Sequence, residues 1–373
     1  MEEHAILINY TGTKGGGAQY AYEMAKGFVT QNVNTIAIIS SSNENIKQWR
    51  ELPLNKLIVL DTYLTSKELI TKSILWNKKY KNKILEELKG WEIDVVYTPM
   101  ITFWTKNINQ LFPRAKSIVV LHDPKPHSND KNKRALQLFG ETAVLKKADA
   151  IIVLSNIFKD FVAEKYNKVG KVFQIPHGPL NIYKDSLDKV TTVKYDPTKT
   201  NFLFFGTISK YKGIGVLAEA YKIVSQTEKN VTLTIAGSGD FTEYESMYQN
   251  LPNVQIYNRW ILNEEVESFF IGENLIAVLP YLDATQSGVI PVGVSYAVPI
   301  IASASGGLIE QLKDYNTGVL VEPNNAIALA EQMITLANNP EKRLEMKEQA
   351  EKNSQKNNWT QATKKVLNII NQV

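Results

Sequence analysis

The sequence predicts an α/β protein made of two parallel-sheet domains in tandem, and three observations carry that reading. Short apolar runs recur along the chain and alternate with amphipathic stretches at helical spacing, the pattern of parallel strands covered by helices on both faces. The alternation stops once, in NIYKDSLDKVTTVKYDPTKT (181–200), and then restarts. At 373 residues the chain is also too long for one ordinary core and suits two. The expected organisation is a Rossmann-like domain over 1–180, a linker over 181–200, a second Rossmann-like domain over 201–355, and a helical tail over 356–373.

In the first half, AILINY (5–10) leads into Gly15, Gly16 and Gly17 and then into AQYAYEMAKGF, whose apolar residues repeat as on a helix face. The further strands are NTIAIIS (34–40), LIVL (57–60), DVVYT (94–98), SIVVL (117–121), AIIVL (150–154) and VFQIP (172–176). The second half repeats the scheme with NFLFFG (201–206), VTLTIAG (231–237), NVQIY (253–257), LIAVLP (275–280), VPIIAS (298–303) and GVLVEP (318–323). Beyond Pro340 the chain is lysine- and glutamate-rich and reads as helix.

Bulk properties narrow the function. A hydrophobic content of 44% and a charged content of 21% describe a globular protein. With no cysteine there is no disulfide, no thiol nucleophile and no thiolate metal site, which suits a reducing cytoplasm. The first strand-like run is too short for a signal segment, and no apolar run approaches the roughly 20 residues that span a bilayer. A net charge of +4 and the lack of a nucleic-acid motif argue against nucleic acid as partner. The basic, aromatic-containing stretch 76–89 (Trp76, Lys78, Lys79, Tyr80, Lys81, Lys83) is either a solvated helix face or a contact with an anionic membrane, giving a peripheral location at its inner face.

The most informative segment is LPYLDATQSGVIPVGVSYAVPIIASASGGLIEQL (279–312), read as strand, turn, helix, strand, turn, helix. Two small-residue turns, around Gln286, Ser287, Gly288 and Val289 and around Gly306 and Gly307, each feed a helix N-terminus at the carboxyl edge of a parallel sheet. Such paired turns suit a diphosphate, held by the backbone N–H groups of Ser287, Gly288 and Val289. Lys212 opens another helix, where a cation opposes the helix dipole unless an anion sits there too. Gly15–Gly17 form either a tight turn or a loop facing phosphate or sugar. His122, at the end of SIVVL, stands where ligands collect in parallel sheets; Asp123 follows it. His127 reads as solvated. The glutamates at 264 and 265 follow Asn263, a helix cap, and start that helix.

This segment, with GTISKYKGIGVLAEAY (206–221), LTIAGSGD (233–240), ADAIIVLSNIFKDF (148–161), IPHG (175–178) and TGVLVEPNN (317–325), resembles the retaining GT-B glycosyltransferases of group 1, in order and spacing over most of the chain. The resemblance implies two Rossmann-like domains with a deep cleft between them and a last helix, carrying Trp359, that returns to the N-terminal domain. It implies transfer of a sugar from a nucleoside diphosphate sugar to a saccharide or lipid-linked saccharide, as in bacterial polysaccharide assembly, with no cofactor and no metal. Donor-binding positions are then Gly16, Gly17, Gly206, Thr207, Lys212, Gly237, Ser238, Gly239, Gln286, Ser287, Gly288, Val289 and Glu310, with Gly15 and Asp123 on the acceptor side. His122 and Lys212 are the catalytic candidates, Lys212 stabilising charge on the leaving diphosphate and His122 meeting sugar hydroxyls or phosphate. His177 reads as structural, and Gly237–Gly239 as either a nucleotide contact or a tight turn.

Departures from the family pattern keep other readings open. The usual Glu-x7-Glu pair falls on Ala284 and Val292, within the ATQSG variant, and the usual arginine after the strand-ending glycine is Thr207. Losing those carboxylates counts against a sugar-nucleotide epimerase, and chain length against a phosphorylase. A catalytically inactive, nucleotide-sugar-binding partner subunit remains the alternative from another class.

Overall fold

A computed structural model describes residues 3–125, 140–184 and 189–373; His127 lies outside them. The chain forms two compact units, Met1–His177 with Trp359–Val373, and Gly178–Asn358. Both are α/β with wholly parallel sheets, so the fold class read from the sequence holds.

In the first unit, β1 (Glu3–Tyr10), β2 (Thr35–Ser40), β3 (Lys56–Leu60), β4 (Trp91–Thr98), β5 (Lys116–Leu121), β6 (Ala150–Val153) and β7 (Val172–Gln174) lie in the order β3-β2-β1-β4-β5-β6-β7. All six residues of TIAIIS in β2 and all four of AIIV in β6 are buried, as β-branched runs are when helices cover both faces. Helix Gly16–Thr30 packs against the last helix, Trp359–Ile370. A Cβ at Gly27 would lie 2.8 Å from Thr363 Cγ2 and 3.0 Å from the Trp359 carbonyl oxygen, so this glycine sets how closely the two helices meet. Of the tail expected at 356–373, the part up to Lys356 instead ends helix Pro340–Lys356 of the second unit.

The helical stretch after β3 runs through Ser66–Ile74, a π-helical turn Trp76–Tyr80, and Lys81–Glu87. Leu69, Trp76, Tyr80, Ile84 and Leu88 form its inward face. Trp76 stacks on Tyr80 at 6.4 Å, and Tyr80 meets Trp104 at 4.7 Å. The aromatic residues of 76–89 are therefore core, and the membrane-facing reading of Trp76 and Tyr80 is corrected on that ground.

In the second unit, β8 (Thr200–Phe205), β9 (Val231–Ala236), β10 (Val254–Tyr257), β11 (Leu275–Leu279), β12 (Ile300–Ser303) and β13 (Gly318–Val321) lie in the order β10-β9-β8-β11-β12-β13. Strand order reverses between β1 and β4 in one sheet and between β8 and β11 in the other, the places where parallel α/β sheets open a crevice at their carboxyl ends.

Residues 189–200, expected as linker, are bound into the second unit along helix Asn263–Phe270. The Val190 amide donates to the Glu264 carbonyl, the Thr192 hydroxyl to the Glu265 carboxylate at 2.7 Å, and the Tyr195 hydroxyl to the Phe269 carbonyl at 3.0 Å. Glu265 also takes the Arg259 guanidinium in a fork, at 2.8 and 2.5 Å, and the Leu262 amide at 3.0 Å. The Arg259 guanidinium, with Thr192 and Leu262, holds the Glu265 carboxyl down to a pKa of about 2. The helix begins after Leu262, not after an Asn263 cap, and Glu265 does more than start it.

Candidate functional site

The carboxyl ends of β8 and β11 carry Gly206, Thr207 and Lys212 on one side and Gln286, Ser287, Gly288 and Val289 on the other. After β8 the chain passes Gly206 and Thr207 to a 3-10 turn, Lys210–Lys212, and Gly213 leads into helix Ile214–Thr227. Gly213 has φ +72°, and a Cβ there would fall 1.8 Å from the Pro280 carbonyl oxygen. Only glycine meets both demands. The Leu282 amide donates to the Tyr211 carbonyl at 2.7 Å, so this loop is fastened to the end of β11.

Fastened there, Lys212 places its Nζ 3.7 Å from the centroid of the Tyr281 ring, a close cation–π contact. Tyr281 is wholly buried, which pushes its phenol pKa well up, and its hydroxyl lies 3.3 Å from that of Ser287. The Ser287 hydroxyl accepts the Val289 amide at 3.2 Å. A cation, a buried ring and the turn 284–288 thus form one connected unit at the point where the strand order reverses.

Gln311 completes it. Its Oε1 accepts the Ser287 amide at 2.8 Å and its Nε2 donates to the Ser287 carbonyl at 3.1 Å, so one side-chain amide holds both backbone groups of a residue that is 1% exposed. The second turn presses on the first: a Cβ at Gly306, φ +49°, would lie 1.7 Å from the Ala284 carbonyl oxygen. Sequence reasoning missed Gln311. The available signal was an amide on the face of helix Leu308–Tyr315 whose other buried positions, Leu308, Leu312 and Tyr315, follow a helical period.

These bonds engage two of the three amides read in the sequence as a phosphate cradle. The amides of Ser287 and Val289 are used inside the chain, the first by Gln311 and the second by the Ser287 hydroxyl. Gly288 is the exposed residue of the three, with open space where a Cβ would stand. Gln286, two positions before it, and Glu310, in the first turn of helix Leu308–Tyr315, are half-buried.

The glycines after β9 have a packing reason of their own. A Cβ at Gly237 would lie 1.9 Å from the Gly206 carbonyl oxygen, and one at Gly239 would lie 2.0 Å from the Ile208 carbonyl oxygen. The Gly237 amide donates to the Tyr257 carbonyl and the Gly239 amide to Asn258 Oδ1, while the Ser238 carbonyl accepts the Ile208 amide. Gly206, Gly237 and Gly239 therefore bring two strand ends into contact, and the amides at 237 and 239 are spent on that. Thr207 is exposed.

In the first unit, Gly15 (φ +82°), Gly16 and Gly17 lead from β1 into helix Gly16–Thr30. Glu44, not singled out in the sequence, stands at this turn. Its Oε1 accepts the Gly15 amide at 2.7 Å and Gln19 Nε2 at 3.0 Å, and burial raises its pKa against those bonds. The chain thus supplies its own carboxylate to the Gly15 amide. Gly16 faces open space, whereas a Cβ at Gly17 would strike Met100 Sδ.

His122, past the end of β5, is buried; its Nε2 donates to the Pro99 carbonyl at 2.8 Å, which fixes the proton on that nitrogen. Tyr20 meets His122 edge-on at 4.7 Å, and also His177 at 5.3 Å and Trp359 at 5.2 Å. Asp123 is half-buried. Among the described residues no three histidines, aspartates or glutamates are grouped as metal ligands, and no helix is long and apolar enough to cross a membrane.

Comparison with known proteins assigns the architecture. Residues 192–353 match the model of the glycosyl transferases group 1, and residues 14–178 match that of glycosyltransferase family 4. The chain belongs to the group 1 glycosyltransferase family. An uncharacterized glycosyltransferase of Haemophilus influenzae is 23% identical over 223 residues, 60% of this chain and 61% of that protein. Against the curated relatives it matches, the chain spans between about half and three-fifths of their length. Among solved structures, Anabaena HepE in complex with UDP and glucose aligns with a TM-score of 0.72 at 15% identity, covering 99% of this chain and all of that one. WaaG, a glycosyltransferase involved in lipopolysaccharide biosynthesis, aligns with a TM-score of 0.63 at 12% identity, covering 98% and 99%. At such identities these structures share the GT-B fold with this chain.

Proposed function

We propose that this chain transfers a sugar from a nucleoside diphosphate sugar to a saccharide or lipid-linked saccharide acceptor, with retention at the anomeric carbon. The observation that carries the reading is Lys212 held against Tyr281 beside the Ser287–Gly288 turn, at the reversal point of the second sheet. An ammonium fixed there stabilises charge on a departing diphosphate without a divalent cation. UDP in the complex of the similarly folded HepE supports a nucleotide in this family's fold.

In the proposed reaction the anomeric C–O bond to the β-phosphate breaks and the acceptor hydroxyl oxygen forms the new C–O bond. Its proton leaves with the phosphate on the same face of the sugar. His122, with Nε2 tied to Pro99, serves as a binder of sugar hydroxyls or phosphate rather than as general base. A cytoplasmic site and a role in bacterial polysaccharide assembly accord with the lack of cysteine and with WaaG.

One set of observations favours a second reading, an inactive relative that binds nucleotide sugar as a partner subunit. Ala284, Val292 and Thr207 stand where the family carries charged side chains, and two amides of the turn are engaged within the chain.

The test is thermal stabilisation by UDP, GDP, ADP and dTDP, with and without Mg²⁺, on the wild type and Lys212→Ala. It is followed by nucleotide release from the corresponding sugar donors. Base-selective, metal-indifferent stabilisation lost in Lys212→Ala, with turnover, supports the transferase. Stabilisation without release from any donor supports the inactive relative, and no stabilisation by any nucleotide overturns both.

A further inference from the structure

The first unit carries a surface that contains none of the residues read above as donor- or acceptor-binding. Residues 64–85, LTSKELITKSILWNKKYKNKIL, hold six lysines against the single acid Glu68, a charge of +5. The whole chain carries +4, so the remaining residues sum to −1. The chain's net positive charge is therefore accounted for by this one stretch.

Its inward face is taken by Leu69, Trp76, Tyr80 and Ile84. Its outward face is not purely polar: Leu64 is 66% exposed, Ile70 61%, Ile74 77%, Leu75 43% and Leu85 42%. Ile70 and Ile74 lie one turn apart on helix Ser66–Ile74. Lys67 precedes Ile70 by a turn, Lys78 and Lys79 follow Ile74 on the π-helical turn, and Lys81 and Lys83 lead to Leu85. Lys72 is tied to Asp61 at 2.7 Å and Glu68 at 3.5 Å; Lys67, Lys78, Lys79 and Lys83 stand exposed. Single exposed aliphatics are ordinary. Five in one short stretch, interleaved with lysines, form a recognisable surface.

We propose that this face docks on an anionic membrane surface, with the aliphatic side chains at the headgroup boundary and the lysines at lipid phosphates. Charge argues against a second copy of the chain, which would bring another +5 to the same contact. The aliphatics project singly between lysines, whose stems can lie along hydrocarbon while their ammoniums stay at the headgroups. The inference stands independently of the proposed transfer reaction.

The test is co-sedimentation of the full chain with phosphatidylcholine vesicles and with vesicles in which part of the lipid is phosphatidylglycerol, at low and high salt. The wild type is expected on the anionic vesicles only, and released by salt. Lys78→Gln/Lys79→Gln/Lys81→Gln is expected to weaken partitioning roughly 100-fold, about five-fold per lysine. Ile70→Asn/Ile74→Asn, at exposed positions and checked for a wild-type melting curve, is expected to weaken it at least roughly ten-fold. Equal binding to neutral vesicles, no binding to anionic ones, or unchanged partitioning of either variant overturns the proposal. So does a wild-type dimer in solution that the isoleucine pair dissolves, which assigns the face to a second copy.

Discussion

Replacing Gln311 by leucine tests the organisation of the site most directly. The side chain is 6% exposed and makes two hydrogen bonds to one residue, to the Ser287 amide at 2.8 Å and the Ser287 carbonyl at 3.1 Å. Leucine fills a similar volume, so the change removes the bonds without opening a large cavity. It leaves a buried donor and a buried acceptor unsatisfied, each costing about 1–3 kcal/mol, hence about 2–6 kcal/mol for the pair if the turn does not rearrange. For a unit of this size, about 2–4 °C per kcal/mol turns that into a fall of roughly 4–24 °C in Tm, read by calorimetry. Gln311→Glu sharpens the test. The carboxylate still accepts the Ser287 amide but sets its second oxygen against the Ser287 carbonyl. That facing raises the glutamate pKa, and protonation restores a donor, so the deficit of Gln311→Glu should shrink as pH falls into the carboxyl range. Gln311→Leu should show no such recovery. If Gln311→Leu melts within about 2 °C of the wild type and takes up nucleotide as the wild type does, the turn does not depend on this amide and the reasoning fails.

Three further outcomes follow from the same geometry. Tyr281→Phe keeps the ring under Lys212 and loses only the contact with the Ser287 hydroxyl, so it should cost about 1 kcal/mol in a denaturant melt. Tyr281→Leu should in addition lower nucleotide affinity, by the roughly 0.5–2 kcal/mol of a cation–π contact, in a titration against the diphosphate. Gly213→Ala must both hold φ +72° and displace the Pro280 carbonyl; a loss of at least about 3 kcal/mol, or no soluble protein, is expected on expression and melting. Glu265, its pKa held down to about 2 by Arg259, contributes stability that is fully present above the ordinary carboxyl pKa and is lost as pH falls through its folded value. A calorimetric series from neutral pH down to about 2 should show a steeper fall for the wild type than for Glu265→Gln, by about 1 kcal/mol because Arg259 is partly exposed; parallel curves would refute the assignment.

The strands were legible from the sequence because a parallel strand buried on both faces is written in its own composition. Runs such as TIAIIS and LIAVL need no partner to be recognised, and the thirteen strands among the described residues stand where those runs stand. Lys212 stood out in the sequence because a lysine before a glycine at a helix start is locally anomalous. The described part of the expected linker, 189–200, was harder to read for the complementary reason. Its polar residues look like linker, yet Thr192 and Tyr195 bond to a helix some seventy residues further on. Likewise Trp76 and Tyr80 lie in a basic stretch, and only their packing with Trp104 shows them to be core.

What the sequence determined by itself is the set of local preferences: which segments are strand or helix, where glycine must sit, and that two small-residue turns face a common edge. Which backbone amides remain for a ligand was decided only by the tertiary structure. Gln311 reaches Ser287 across 24 positions, Glu44 reaches Gly15 across 29, and Lys212 meets Tyr281 because Gly213 lets its loop close on Pro280. Such bonds depend on strand order and on the few ångströms of approach that glycines permit, and neither is encoded in any one segment of the chain.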